Sequence, residues 1–217
     1  MAWDERGRLW IAETYDYPNE MQAEGQGRDR IRICEDTDGD GKADKFTVFA
    51  ERLSIPTSFA FSHGGLIIHQ APHTLFFKDL DGDDVADVKK ILFTGWSTGD
   101  THAGPSNLNY GHDNWFYGIV GYAGFDGVIA GQRRAFRTGF YRFLVEEVNG
   151  EVSVTDLEFL RNTNNNSWGV GLSEEGLLFG STANRNPSEF MPIPNRYYEQ
   201  VRSEEHTSEL QSHSDLV

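Results

Sequence analysis

A short acidic pattern occurs twice in this sequence, and it constrains the fold more than any other feature. Residues Asp36 to Asp44 read DTDGDGKAD, and residues Asp79 to Asp87 read DLDGDDVAD. Each copy places carboxylates at relative positions 1, 3, 5 and 9. These are Asp36, Asp38, Asp40 and Asp44 in the first copy and Asp79, Asp81, Asp83 and Asp87 in the second. Hard oxygen ligands gathered on one short loop suit a calcium ion, and without a cation such carboxylates repel one another. Gly41 stands at position 6 of the first copy, where a loop that wraps calcium turns sharply; Asp84 stands there in the second. Apolar-rich runs flank both loops (Ile31 to Cys34 and Phe46 to Phe49; Leu75 to Phe77 and Val88 to Phe93), so each is expected at the tip of a β-hairpin. A helix–loop–helix calcium hand is disfavoured, because its bidentate Glu at position 12 falls on Thr47 and Lys90. The alternative is a pair of Asp/Gly-rich turns that hold no metal.

A second pattern recurs four times. It begins as Asp4 to Ile11 (DERGRLWI), a turn ending in glycine followed by an apolar strand, and returns at Ser62 to Ile68, His112 to Tyr117 and Ser173 to Phe179. Aligning Gly7, Gly65, Asn114 and Gly176 gives an irregular period of about fifty to sixty residues, with several short strands in each. Asn replaces Gly in the third turn because both tolerate a left-handed backbone. This pattern predicts an all-β chain: three to four consecutive blades of a β-propeller, six-bladed when whole. The competing architecture is a β-sandwich with similar turns. The glycine-rich run Gly118 to Gly131 lacks the strand–turn–helix context of a phosphate loop and is expected to form turns. Strands are expected over Thr138 to Val145 and Glu151 to Leu160, joined at Asn149-Gly150.

The net charge of −15 argues against nucleic acid, which requires a basic face. Cys34 is the one cysteine, so no internal disulfide can form. No run of eighteen apolar residues exists, and the charged residues after Met1 do not read as a signal peptide. Residues Arg202 to Val217 (RSEEHTSELQSHSDLV) resemble the in-frame translation of a sequencing adapter, and the aromatic and glycine content stops at Val201. We therefore expect residues 1–201 to be a partial propeller domain that continues in a longer protein, and 202–217 to be foreign to it.

Among the histidines, His63 and His112 sit in the repeated turn, and His69 and His73 flank a QAP segment where they could face a channel or cap a strand. His102 lies in a polar Gly/Pro-rich loop, two residues after Asp100. A neutral imidazole beside a carboxylate is suited to taking a proton from a hydroxyl, so His102 and Asp100 are the candidate catalytic pair.

The segment THAGPSNLNYGHDNWFYG (Thr101 to Gly118) resembles a stretch of soluble quinoprotein glucose dehydrogenases. In that family a histidine takes the sugar hydroxyl proton while pyrroloquinoline quinone accepts hydride. The stretches WDERGRLWIAE, RIRICEDTDGDGKADKFTVFAE, QAPH, DTHAGPSNL and NNNSWGVG are similar to propellers named as membrane-bound dehydrogenases in planctomycetes and verrucomicrobia. The resemblance implies an exported protein, periplasmic or membrane-associated, that oxidises a sugar or other alcohol. It also implies a cytochrome c-type haem module beyond this stretch, and it puts Arg161, Asn165 and Asn166 near the cofactor. Where the quinoproteins carry an Arg-Asn pair, this chain has Asn165-Asn166 before Ser167-Trp168-Gly169, which takes a cation away from the quinone's carboxylates. The alternative function is a non-catalytic, calcium-stabilised propeller that binds carbohydrate or protein. Adhesion repeats of that kind carry an acidic loop in every blade, whereas here the third and fourth repeats lack one.

Overall fold

In β3 (Asp29–Glu35), Ile31 and Ile33 are buried while Arg30 and Arg32 between them reach solvent. That period of two makes the segment one half-buried strand of a sheet. It pairs with β2 (Leu9–Glu13) and β4 (Lys45–Leu53), and β1 (Ala2–Trp3) completes the first sheet in the order β1-β2-β3-β4. The second sheet repeats this meander with β5 (Ser58–Ser62), β6 (Gly65–Gln70), β7 (His73–Lys78) and β8 (Val88–Thr94). The third contains β9 (Pro105–Tyr110) and β10 (Trp115–Val120), then an inserted hairpin of β11 (Phe125–Ile129) and β12 (Gln132–Phe136), then β13 (Gly139–Val148) and β14 (Glu151–Asn162). The fourth holds β15 (Ser167–Leu172), β16 (Leu178–Thr182) and β17 (Glu189–Phe190). This computed structural model describes residues 1–191 together with Ile193, Pro194 and Tyr197, so the adapter-like stretch 202–217 lies outside the described residues.

Each sheet packs face to face on the next. Trp10, Ile31 and Phe49 of the first sheet share a core with Leu66, Ile68, Leu75 and Phe77 of the second. The opposite face of the second sheet, with Ile67, Phe76 and Phe93, packs on Phe116, Tyr141 and Phe143 of the third. Ile119, Phe140 and Leu160 of the third then meet Leu178 of the fourth. The first strands of neighbouring sheets lie together, β5 against β9 and β9 against β15. Successive antiparallel meanders stacked this way are blades of a β-propeller, and the expected all-β propeller fold is the one observed.

Three local expectations are revised. Gly118 to Gly131 is not all turn: it contains the end of β10 and the whole of β11, whose Phe125 packs on Trp96. In the second repeated turn the left-handed residues are His63 (φ 49°) and Gly64 (φ 70°) rather than Gly65. Gly65 opens β6, where a Cβ would collide with the Phe77 carbonyl and the Phe76 ring. His69 neither faces a channel nor caps a strand. It is fully buried, with Nδ1 at 2.8 Å from Thr74 Oγ1 and Nε2 at 2.8 Å from the Tyr141 hydroxyl. Trp96 Nε1 donates to the same Thr74 oxygen at 2.9 Å.

Burial pushes the His69 pKa down from 6.5 to about 3. Between those values the unfolded chain binds a proton that the folded chain refuses, so this group's contribution is whole above pH 6.5 and is lost as pH falls toward 3. Urea denaturation of the chain should show stability falling by roughly 3–5 kcal/mol across that window from this group, and His69→Gln should flatten the slope. Tyr141→Phe, which leaves Nε2 without its partner, should cost about 1–3 kcal/mol at pH 7.

Candidate functional site

Antiparallel order sorts the connections onto two opposite faces. The turns between first and second strands and between third and fourth strands emerge on one face. The loops between second and third strands, and the links from sheet to sheet, emerge on the other. His102 and Asp100 lie in the β8–β9 link, and Asn165 and Asn166 lie in the β14–β15 link, so topology puts all four on the linking face. Both acidic loops, between β3 and β4 and between β7 and β8, are on the opposite face.

On the linking face, His102 Nδ1 lies 3.3 Å from Asp100 Oδ1, and the same carboxylate oxygen accepts the His102 backbone N–H at 2.9 Å. The long β2–β3 loop walls this pair. The Tyr17 ring meets the imidazole edge to face at 5.2 Å, and the Pro18 carbonyl accepts the Thr101 hydroxyl at 3.2 Å. That loop is pinned in turn by two buried carboxylates. Asp29 accepts the backbone N–H groups of Tyr15, Asp16 and Ile55 and the Thr14 hydroxyl. Burial raises the Asp16 pKa, but the backbone N–H and guanidinium of Arg28 outweigh it and hold that carboxyl below its usual range.

The β14–β15 link arrives beside the His102 loop. Gly121 has no room for a Cβ, which would collide with Asn166 Oδ1 and press on Ala103. Asn166 Oδ1 is buried with no hydrogen-bond partner among the described residues. Asn165 Oδ1 accepts from the Tyr122 hydroxyl at 2.9 Å and from the Asn166 N–H at 2.7 Å. Arg161 is the last residue but one of β14, the outermost strand of the third sheet, and its guanidinium donates to the Ile193 carbonyl at 3.1 Å. The structure thus gathers Asn165 and Asn166 with the His102 loop and directs Arg161 elsewhere.

The two acidic loops are built alike. In the first, Asp36 accepts the N–H groups of Gly39 and Gly41, and in the second Asp79 accepts those of Gly82 and Asp84. Those backbone donors, Gly41 foremost, hold the Asp36 carboxyl below its ordinary pKa; for Asp79 burial pushes upward but the same donors win. Oxygens of Asp36, Asp38 and Asp40 lie within 4.8 Å of one another, as do those of Asp79, Asp81 and Asp87. Two oxygens on one calcium ion at about 2.3–2.6 Å can be no further apart than about 5 Å, so each triad fits a single ion. Asp44 caps Thr37 instead, and Asp83 accepts the Val85 N–H.

Sequence reasoning missed why Asp84 replaces the turn glycine. Asp84 takes the left-handed backbone (φ 67°) that Gly41 takes in the first loop (φ 86°), and its carboxylate pairs with Arg8 at 2.7 Å. Arg8 also pairs with Asp4 at 2.8 Å, and Asp4 accepts Trp10 Nε1 at 2.9 Å. The repeated turn of the first sheet is therefore locked to the acidic loop of the second. Spacing could not have shown this, since the partners lie 76 residues apart. Asp84→Ala should destabilise the chain by about 2–4 kcal/mol in denaturant titration, because it leaves the buried Arg8 half-paired and keeps a strained φ.

A family model described as "Domain of unknown function (DUF7133)" matches residues 1–216. A search of the curated proteins finds no match. Among solved structures, the chain is similar to a Thermus thermophilus protein described as a "putative oxidoreductase (glucose dehydrogenase)", with TM-score 0.52 and 18% identity. That match covers 85% of this chain and 58% of the other, so this chain spans under two thirds of its neighbour's length. A luciferin-regenerating enzyme matches more loosely, with TM-score 0.40 and 9% identity over 89% of this chain and 76% of the other.

Proposed function

The chain belongs to the family described as a domain of unknown function, DUF7133, and we propose that it forms part of a propeller oxidoreductase that oxidises a sugar or another alcohol. The observation that carries this reading is the His102–Asp100 pair, with Nδ1 3.3 Å from Oδ1, on the face where the link carrying Asn165 and Asn166 arrives beside it. The fold of the Thermus thermophilus protein is in keeping with such an activity.

In this mechanism Asp100 holds the proton of His102 Nδ1 and sets the tautomer, which leaves Nε2 as the acceptor of a hydroxyl proton. The hydride passes to a two-electron acceptor. Pyrroloquinoline quinone does not fit that role on the residues assigned to it. Asn165 and Asn166 carry no charge, Arg161 donates to the Ile193 carbonyl, and among the described residues the quinone's carboxylates would find no assembled cationic cradle. No step is routed through it. Export and transfer of electrons to a cytochrome c-type module rest on the family resemblance.

Calcium fits the acidic triads on the opposite face, where it would tie the β3–β4 and β7–β8 hairpins and stay out of the chemistry. Millimolar calcium should raise the melting temperature of the chain over that in EGTA by several degrees, and Asp36→Asn with Asp38→Asn should shrink the difference. An unchanged melting temperature rules the ions out.

The proton-transfer role is tested with sugars and an artificial electron acceptor. His102→Ala should lower kcat by about 10²–10⁴-fold while far-UV circular dichroism is unchanged, since a half-exposed loop position contributes little to the core. Equal rates would remove His102 from the mechanism. No reduction by the unaltered protein would favour the non-catalytic binding reading.

A further inference from the structure

Fifteen residues, 14–28, join β2 and β3 in the first sheet, whereas Ala71 and Pro72 alone join β6 and β7 at the same place in the second. A connection of that length between neighbouring strands either wanders or serves a site. This one is fixed at both ends and in the middle. Asp29 accepts the N–H groups of Tyr15 and Asp16 at its start, and Asp16 accepts that of Arg28 at its end. Both carboxylates are fully buried. Midway, the Gln22 N–H donates to the buried Ser54 hydroxyl at 2.9 Å. Ile55, whose N–H donates to Asp29 at 2.6 Å, takes a left-handed backbone (φ 52°) that a β-branched residue strongly disfavours. Two buried carboxylates and a strained isoleucine are thus committed to the position of one loop.

What that loop delivers to the linking face is Tyr17. Its N–H donates to the Thr14 hydroxyl at 3.3 Å, and the next residue, Pro18, accepts the Thr101 hydroxyl at 3.2 Å. The Tyr17 ring meets the His102 imidazole at 5.2 Å and is still 44% exposed. A fixed, half-open aromatic ring beside a candidate base is a platform for a second ring: the C–H groups on one face of a sugar lie flat on it, and the sugar's hydroxyls point outward around it. Tyr15, two residues earlier, is also exposed, but its ring is taken by the Arg30 guanidinium at 5.9 Å.

We propose that Tyr17 is a substrate-positioning residue, which stacks on a neutral sugar ring and sets which hydroxyl reaches His102 Nε2. An open-chain alcohol has no flat face to lay on Tyr17. The Asp100 carboxylate, 3.3 Å from the imidazole, repels a sugar acid or a sugar phosphate. The part played by Nε2 rests on the oxidoreductase reading, whereas the stacking does not.

NMR titration of the chain with D-glucose and with sorbitol, followed on the His102 imidazole signals, tests the stacking without turnover. The two ligands are close in size and hydroxyl content, and glucose alone closes a ring. Glucose should bind about threefold or more tightly than sorbitol. Tyr17→Ala should weaken glucose binding by about threefold or more and change sorbitol binding less than about twofold. Tyr17→Phe, which keeps the ring, should restore glucose binding, and Tyr15→Ala should change it less than about twofold. Equal weakening of both ligands by Tyr17→Ala would mean a displaced loop and would overturn the proposal. So would unaltered glucose binding in that variant, or no shift of the His102 signals at about 0.1 M glucose. Glucose held by Tyr17 in a protein that reduces no acceptor would sink the oxidoreductase reading and leave the platform standing. Oxidation of glucose with a kcat/KM that Tyr17→Ala does not lower would do the reverse.

Discussion

The seam between the second and third sheets depends on one buried chain of polar contacts, from Trp96 through Thr74 and His69 to Tyr141. Apolar packing alone tolerates sliding, because Phe, Ile and Val on a sheet face can interdigitate in more than one register. Hydrogen bonds inside a dry interface cannot slide, since a displaced partner leaves a buried polar group unsatisfied. The phenol of β13 in the third sheet meets an imidazole of β6 in the second, so the two sheets have one relative position. That position sets the inner strand β9 against β5, and with it the β8–β9 link that carries Asp100 and His102. A core histidine with no part in chemistry thus governs the placement of the loop histidine to which we assign one.

The first and second sheets are joined by a second polar device of opposite character. Asp4, Arg8 and Asp84 are charged, and they sit at the turn face rather than in mid-sheet. Exchanging such a pair for apolar residues is often neutral, whereas breaking it is costly. Its worth here is positional: the carboxylate that replaces a turn glycine ties an acidic loop to the neighbouring repeat.

Much of the fold was legible because it follows from short-range rules. The strands after each repeated turn, the hairpin position of both acidic loops and the Asn149-Gly150 turn all came from period-two burial and from residues that tolerate positive φ, as observed at Asn149 (55°) and Gly150 (80°). The innermost strands were harder. Pro105 to Tyr110 (PSNLNY) is polar and contains proline, yet it forms β9, because an inner strand is held by its sheet partner and by neighbouring blades rather than by an apolar face of its own. His69 was misjudged for a related reason. Its neighbours in sequence (Leu66 to Ile68, then Gln70) say that a strand is there, but Tyr141, 72 residues away, decides that the ring is buried. At the candidate site, proximity of Asp100 to His102 could be read from spacing, while the convergence of Asn166 on Ala103 and the diversion of Arg161 could not.

Among the described residues, two of the four sheets carry an acidic loop, and the strand connections explain why the third does not. In the third sheet, β13 and β14 pair from Gly139 and Asn162 to Val148 and Glu151, and a two-residue turn closes them. Its left-handed Asn and Gly match the strand twist, so no further tie is needed. The β3–β4 and β7–β8 hairpins are closed by the longer loops Asp36 to Asp44 and Asp79 to Asp87 instead. Ordering those loops costs more backbone entropy and crowds the carboxylates that each one carries. Backbone N–H donors to Asp36 and Asp79 offset part of that repulsion and ordering cost, and a divalent ion on each triad would offset more. An ion would then act where the loops are long and charged, at the rims of the first and second sheets. On the opposite face, the His102 loop is held by neutral contacts to Tyr17 and Pro18, and a metal on either triad would have no part in placing it.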